Sequence, residues 1–320
     1  MDRPGALSEL RAAVADFAVR RLADTSSWCV ALSGGPDSLA LAAAAAPVRP
    51  TTALIVDHGL QPGSDTVAEA ARRQALELGC AEARVLRVTV GAAGGPEAAA
   101  RTARYAALDA ARAGMPVLLA HTLDDQAETV LLGLGRGSGA RSIAGMRVAD
   151  PPWYRPLLGL RRSQTHAACA ELGIAAWDDP HNHDRRFTRV RLRREVLPLL
   201  EDVLGGGVAE ALARTATALR EDTEALDAIS EHSLAAARAG EALSVAALEP
   251  LPAAVRRRVI RGWLLTSGAS GLSDKQIRAV DALVTAWRGQ GGAAVGSDER
   301  HRRLFAARRD GTLVLYSEAV

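Results

Sequence analysis

The segment Ser33-Gly34-Gly35-Pro36-Asp37-Ser38 stands between an apolar run, Ser27 to Leu32, and a helical pattern opening at Asp37. Two glycines let the backbone approach a ligand, and the helix start offers unpaired N–H groups at a positive dipole end. With the Ser33 and Ser38 hydroxyls they form a cradle for pyrophosphate that needs no lysine. Asp37 would repel phosphate unless a cation lies between them, which implies Mg²⁺. A second chemical segment is His121-Thr122-Leu123-Asp124-Asp125-Gln126-Ala127-Glu128-Thr129. Its adjacent carboxylates and imidazole can hold Mg²⁺ or deprotonate an incoming amine. The same residues also suit a plain helix start, since Thr122 and Asp125 fit a capping box.

Both segments need a scaffold that brings them to one edge. Ser27–Leu32, Thr51–Asp57, Arg84–Val90 and Pro116–His121 read as strands. Asp37–Ala46, Ser64–Gly79 and Pro96–Ala113 read as helices between them. This alternation predicts an α/β fold, a parallel sheet with helices on both faces, whose ligands bind beyond the carboxyl ends of the strands. A helix is expected at Ser163–Leu172, and Gly205-Gly206-Gly207 marks a boundary. The expected domains are therefore 1–204 and 205–320, the second mainly helical. In it Leu212, Leu219 and Leu226, with Ala216 and Ile229 nearby, predict a helix to about Ala239. Helices follow at Ala253–Thr266 and Asp274–Gly289, the latter capped by Ser273 with Gln276. Asp310-Gly311 between two apolar runs predicts a terminal β-hairpin.

Composition narrows the chemistry. The 320 residues carry 39 Lys plus Arg against 37 Asp plus Glu, yet Lys275 is the single lysine. Alanine supplies roughly a fifth of the chain, far above average usage, a combination that fits nucleotide bias. Lys275 follows no glycine loop, which excludes a Walker-A NTPase. Cys29, Cys80 and Cys169 stand apart, against a zinc ribbon, a dithiol site or a disulfide framework. No apolar run is long enough to span a bilayer, and no charged-then-apolar leader opens the chain, so a cytoplasmic protein without a membrane partner is expected.

Ser-Gly-Gly-x-Asp-Ser after a first strand resembles the PP-loop of the adenine-nucleotide alpha-hydrolase superfamily, whose members cleave ATP between the α and β phosphates. Val56-Asp57-His58-Gly59-Leu60 and the segment from Ala120 to Thr129 narrow the resemblance to the tRNA(Ile)-lysidine synthetase family. Gly135-Arg136-Gly137-Ser138-Gly139, Gly145-Met146 and Arg155-Pro156-Leu157-Leu158 add to it, as do Glu97, Arg101, Arg104 and Tyr105. Read as a dinucleotide fingerprint, Gly135–Ala140 is weak, because a helix precedes it. Asp179-Pro180-His181-Asn182-His183-Asp184-Arg185-Arg186-Phe187-Thr188-Arg189 resembles a signature of the same family, followed by Val190 where members usually carry Asn. Six arginines fall between 185 and 194, a basic patch that suits RNA phosphates, while the ordinary reading is a solvated helix face. His181 and His183 lack the partners a metal site needs.

The resemblance implies two cofactors, ATP and Mg²⁺. ATP lies on Ser33, Gly34, Gly35, Pro36, Asp37 and Ser38, with its nucleoside near Val56, Asp57 and His58. Asp37 and Asp125 hold the metal, with Asp124 able to help. The C2 oxygen of cytidine 34 attacks the α phosphate, and the amine of L-lysine then expels AMP. His121 or a carboxylate takes the amine proton, and Arg104 and Arg136 stabilise phosphate charge. Arg185, Arg186, Arg189, Arg191, Arg193 and Arg194 contact tRNA(Ile) with a CAU anticodon. A homodimer stays open as an assembly. The rivals are a PP-loop ligase acting on a small substrate and a tRNA-binding protein with a vestigial nucleotide site.

Overall fold

The computed structural model describes residues 5–59, 61, 63–91, 95–137, 139–297 and 302–319. Leu60, Ser138 and the side chain of Glu97 lie outside what is described. The chain divides into two compact units, Met1–Ala218 and Leu219–Val320. This division lies beyond the glycine run and inside a helix, whereas Gly205, Gly206 and Gly207, all at positive φ, form the turn that precedes that helix.

The first unit opens with α1 (Ala6–Arg21), β1 (Trp28–Leu32), α2 (Pro36–Ala45), β2 (Thr51–Asp57) and α3 (Ser64–Glu77). Next come β3 (Glu82–Arg87), α4 (Pro96–Ala111), β4 (Val117–Leu118), α5 (Leu123–Arg136) and α6 (Ala140–Ile143). Then follow β5 (Ala149–Asp150), β6 (Trp153–Tyr154), α7 (Arg162–Glu171), α8 (Thr188–Arg191), α9 (Leu197–Leu204) and α10 (Val208–Ala237). The sheet order is β3-β2-β1-β4-β6-β5, parallel except for β5. Because the order reverses direction at β1, the loops after β1 and β4 flank a crevice at the carboxyl edge. That is why the two chemical segments meet.

The expected strands and helices of this unit are present, with shifts at their ends. β3 begins at Glu82, and β4 is reduced to Val117–Leu118 because the chain soon turns into the cap of α5. The structure adds α1, β5 and β6 to what the sequence predicts. α1 buries Leu10, Val14, Phe17 and Ala18, a helical spacing on one face. α2 is buried all round from Ser38 to Ala45, and its alanines let α1, α7 and β1 pack close. α8, a π turn at Leu192–Val196 and α9 run on as one helix. Pro198 has no N–H for the carbonyl one turn back, which accounts for the widened turn.

The second unit holds the remainder of α10, β7 (Arg238–Ala239), β8 (Ala242–Ser244), α11 (Val245–Leu248), α12 (Ala253–Thr266) and α13 (Asp274–Thr285). It closes with β9 (Ala293–Val295), β10 (Arg302–Arg309) and β11 (Thr312–Ala319). The expected hairpin is there, with Asp310 and Gly311 both at positive φ. It lies within a five-stranded antiparallel sheet, β7-β8-β11-β10-β9. Helix residues Val259, Ile260, Trp263, Val280 and Leu283 pack with Leu243, Ala306 and Leu313 of the sheet. Of the expected α10 stripe, Ala216 and Leu226 face the cores, whereas Ile229 is exposed.

α5 and α6 touch where Gly133 faces the Ser142 carbonyl, and a Cβ there would sit 2.2 Å from that oxygen. Gly133→Ala is therefore expected to cost about 1–3 kcal/mol by overpacking, read as a lowered midpoint in urea unfolding.

Candidate functional site

The loop after β1 has the geometry of an anion cradle. Gly34 sits at φ 82°, and its missing Cβ would lie 3.3 Å from that of Ala71. The Ser38 hydroxyl donates to the Gly35 carbonyl at 2.9 Å and accepts from the Ser33 N–H at 3.1 Å, which holds the loop closed on itself. Pro36 starts α2 where a missing N–H costs nothing. The Trp177 N–H donates to the Gly34 carbonyl at 2.9 Å, and Gln74 and Gln61 bind Ala175 and Asp179. The chain from 175 to 179 is thus laid across the loop.

At the neighbouring edge, Thr122 caps α5 through the expected box with Asp125. The capping reading is borne out, and the capping Asp125 carboxylate also meets Arg162. Asp37, Asp124, Asp125 and Glu128 converge on the first residue of α7. Arg162 donates its backbone N–H to Asp124 at 2.7 Å. Its guanidinium reaches Asp125 at 2.6 Å, Glu128 at 3.3 Å and Asp37 at 3.4 Å. Arg193 binds Glu128 at 2.8 Å, Arg189 approaches it at 3.6 Å, and Arg161 pairs with Asp124 at 3.3 Å. The Glu128 side chain is fully buried.

Burial pushes the Asp37 carboxyl above the usual carboxylate range, although the Thr165 hydroxyl and Arg162 pull it back. Burial also raises Asp125, but Arg162, the Thr122 N–H and His121 outweigh it, so its carboxyl lies below the usual range. Burial lowers the Arg104 guanidinium, which lies over the Tyr105 ring. Asp57 accepts from the Gly59 N–H at 3.0 Å and is lowered chiefly by a hydrogen bond from Ser64. His58 is lowered by burial, and its Nδ1 has no partner.

Not every expected site residue joins this cluster. Arg136 is exposed at the far end of α5, about 16 Å along the helix from Asp125. The six arginines divide. Arg189 and Arg193, one helical turn apart, face Glu128, while Arg185, Arg186 and Arg191 are exposed and pair with Glu195 or Asp184. Arg194 contacts His183, whose other nitrogen lies 2.7 Å from Asp178. Val190 is buried, as an apolar residue should be. The sequence reading missed Arg161, Arg162, Thr165 and the part played by Glu128. For Glu128 a signal existed, its i,i+3 spacing from Asp125 on one helix face.

No group of three or more His, Cys, Asp or Glu side chains poised for a metal occurs among the described residues. Asp37 and Asp125 nevertheless offer the hard oxygens Mg²⁺ prefers, an ion that takes one or two carboxylates and completes its shell with phosphates and water. The Asp37 side chain is partly exposed beside the loop, and by this donor chemistry the residues fit the ion.

A strand-loop-helix phosphate cradle at a topological switch point defines a PP-loop ATP-using enzyme. The family model for the PP-loop domain matches residues 7–200, and that for the TilS substrate binding domain matches 243–314. A tRNA(Ile)-lysidine synthase of Mycobacterium bovis is 71% identical over the full length of both chains. Those of Mycobacterium leprae and Rhodococcus jostii are 67% and 57% identical, the latter over 96% of this chain and 95% of its own. The chain belongs to the tRNA(Ile)-lysidine synthase family. The U34-tRNA thiolase NcsA from Methanococcus maripaludis, solved with its [4Fe-4S] cluster, shares the fold at TM-score 0.55 and 18% identity, over 68% of this chain and 80% of that one.

His121 supplies a pH test. Burial, reinforced by Arg155, Arg101 and Arg104, pushes its pKa down to about 4 against the pull of Asp125, and its Nδ1 is orphaned. An unfolded-chain histidine takes its proton near pH 6.5. Between these values the unfolded state binds more protons, so the stability owed to neutral His121 is full above about pH 6.5 and declines as pH falls toward about 4. His121→Gln is expected to flatten that decline in denaturant midpoints measured across this range.

Proposed function

We propose that the protein ligates L-lysine to C2 of cytidine 34 in tRNA(Ile) with a CAU anticodon, using ATP. The observation that carries this reading is the meeting of the Ser33–Ser38 cradle and the Asp124-Asp125-Glu128 cluster at one sheet edge, joined by Arg162. ATP lies with its phosphates on the cradle and its nucleoside toward Val56, Asp57 and His58. Mg²⁺ would be held by Asp37 and Asp125 and would supply positive charge to the phosphates. The C2 oxygen of the cytosine forms a bond to the α phosphorus as the bond to pyrophosphate breaks. The lysine amine then bonds to C2, AMP leaves with the oxygen, and the amine loses a proton. His121, kept neutral by burial, is in the accepting form, and the neighbouring carboxylates share that role. Arg104, whose charge acts on both His58 and His121, would balance phosphate charge.

A cavity of about 130 Å³ beside the cluster suits the free amino acid. Among its lining residues Arg161, Arg162 and Arg193 offer charge for a carboxylate, Asp124 and Glu201 for an ammonium, and Leu197 and Pro198 offer apolar surface for methylenes. Residues 1–204 act as the catalytic domain and 205–320 as the tRNA-binding domain. Residues 243–314 carry twelve arginines and lysines against six aspartates and glutamates, in keeping with a phosphate-rich partner. No helix among the described residues is long and apolar enough to cross a membrane, and the reaction belongs in the cytoplasm, where tRNA, ATP and free lysine occur together.

The direct test offers ATP, Mg²⁺ and labelled lysine with either tRNA(Ile) or initiator tRNA(Met), both carrying CAU. Label is expected in tRNA(Ile) alone, and ATP turnover on a small substrate without tRNA would instead favour an amidating ligase. Asp37→Ala is expected to lower tRNA-dependent ATP–pyrophosphate exchange by roughly 10²–10³-fold.

The division of the arginines makes a separate statement. Replacing exposed Arg185, Arg186 and Arg191 by Ala is expected to weaken tRNA binding and reduce the salt slope by about 2–3. Arg193→Ala is expected to impair turnover with little change in that slope. Fluorescence titrations at several salt concentrations distinguish the two.

A further inference from the structure

Arg162 presents three nitrogens to three carboxylates from two elements: Nε to Asp37 at the start of α2, Nη2 to Asp125 and Nη1 to Glu128, both on α5. Its main chain is fixed as well, since its N–H donates to Asp124. One turn later the buried Thr165 hydroxyl lies against Asp37 and the Arg162 carbonyl. A single ion pair would satisfy a buried guanidinium only in part. Here each prong takes a different carboxylate, and the rigid plane of the fork sets where those carboxylates stand relative to one another. Asp37 belongs to the phosphate loop, whereas Asp125 and Glu128 belong to the edge where the amine is received.

We propose that Arg162 is a positioning residue that ties the phosphate-loop half of the site to the amine-receiving half, keeping both in register for the two successive steps. Although it lines the cavity assigned above to lysine, its three prongs act on Asp37, Asp125 and Glu128. Arg161, Arg189 and Arg193 face carboxylates of the same cluster, Arg161 holding Asp124 together with Glu210 of α10, and the other two holding the α5 side alone. They do not reach Asp37. Arg162 alone among these arginines bridges α2 and α5. The proposal rests on the ligation reading above, and the wild-type enzyme separates the two. If wild type places no label from lysine into tRNA(Ile), the ligation reading fails before Arg162 is considered.

With an active wild type, Arg162→Ala is expected to lower tRNA-dependent ATP–pyrophosphate exchange roughly 100-fold, the scale of a misplacement near 1 Å. It is also expected to raise the KM for lysine in the full reaction. Guanidinium chloride on the order of 50 mM, far below unfolding concentrations, should restore part of both losses. Urea, of the same shape without the charge, should not. Arg162→Lys, which keeps the charge and loses the fork, should fold and remain impaired in both measurements, and it serves where the Ala variant does not fold. Damage confined to one measurement overturns the proposal. So does a Lys variant equal to wild type, or an Ala variant that guanidinium does not restore.

Discussion

Four carboxylates at one sheet edge repel one another, and the rest of the catalytic unit is arranged around that cost. Two unit charges at 4 Å interact by about 4 kcal/mol at an effective dielectric constant near 20. Opposite charge must therefore come from other elements, and it comes as guanidinium. Arg161 and Arg162 start α7, and Arg189 and Arg193 project from the helix over 188–204. This demand places α7 against α2 and α5, and it decides which residues of an arginine-rich run turn inward.

Local signals were legible in the sequence because their physics is local. The Gly34 turn, the Thr122 and Ser273 capping boxes, the helix at Ala253–Thr266 and the Asp310-Gly311 hairpin each depend on a few adjacent residues. The convergence on Arg162 could not be read that way, since Asp37, Glu128 and Arg162 meet only once the strand order is known. The arginine run posed a related difficulty. A run of positive charge reads the same whether it meets solvent, RNA or a buried acid, and only the buried Glu128 separates Arg189 and Arg193 from Arg185 and Arg186. The short strands β5 to β9 escaped notice because two or three residues carry no alternation.

The near absence of lysine takes on a structural meaning beyond composition. A lysine ammonium is a flexible point charge, whereas guanidinium shares itself among several acceptors in a fixed plane. The chain that does without a phosphate-binding lysine also neutralises its acidic cluster with forks. Its abundant alanine is likewise put to use in α2, where small side chains let α1 and α7 pack closely against the helix that follows the phosphate loop.

The π turn at Leu192–Val196 has a consequence of phase. In a regular α-helix residues four apart drift by about 40° at each step, so Arg189, Arg193, Leu197 and Glu201 would spiral over about 120°. A turn holding more residues takes up much of that drift. Arg189 and Arg193 can then meet Glu128 while Glu201 accepts the Val208 and Ala209 N–H groups at the start of α10. The grip on the acidic cluster and the launch of the long helix are clocked by the same turn. A change of one residue in its length would turn one against the other.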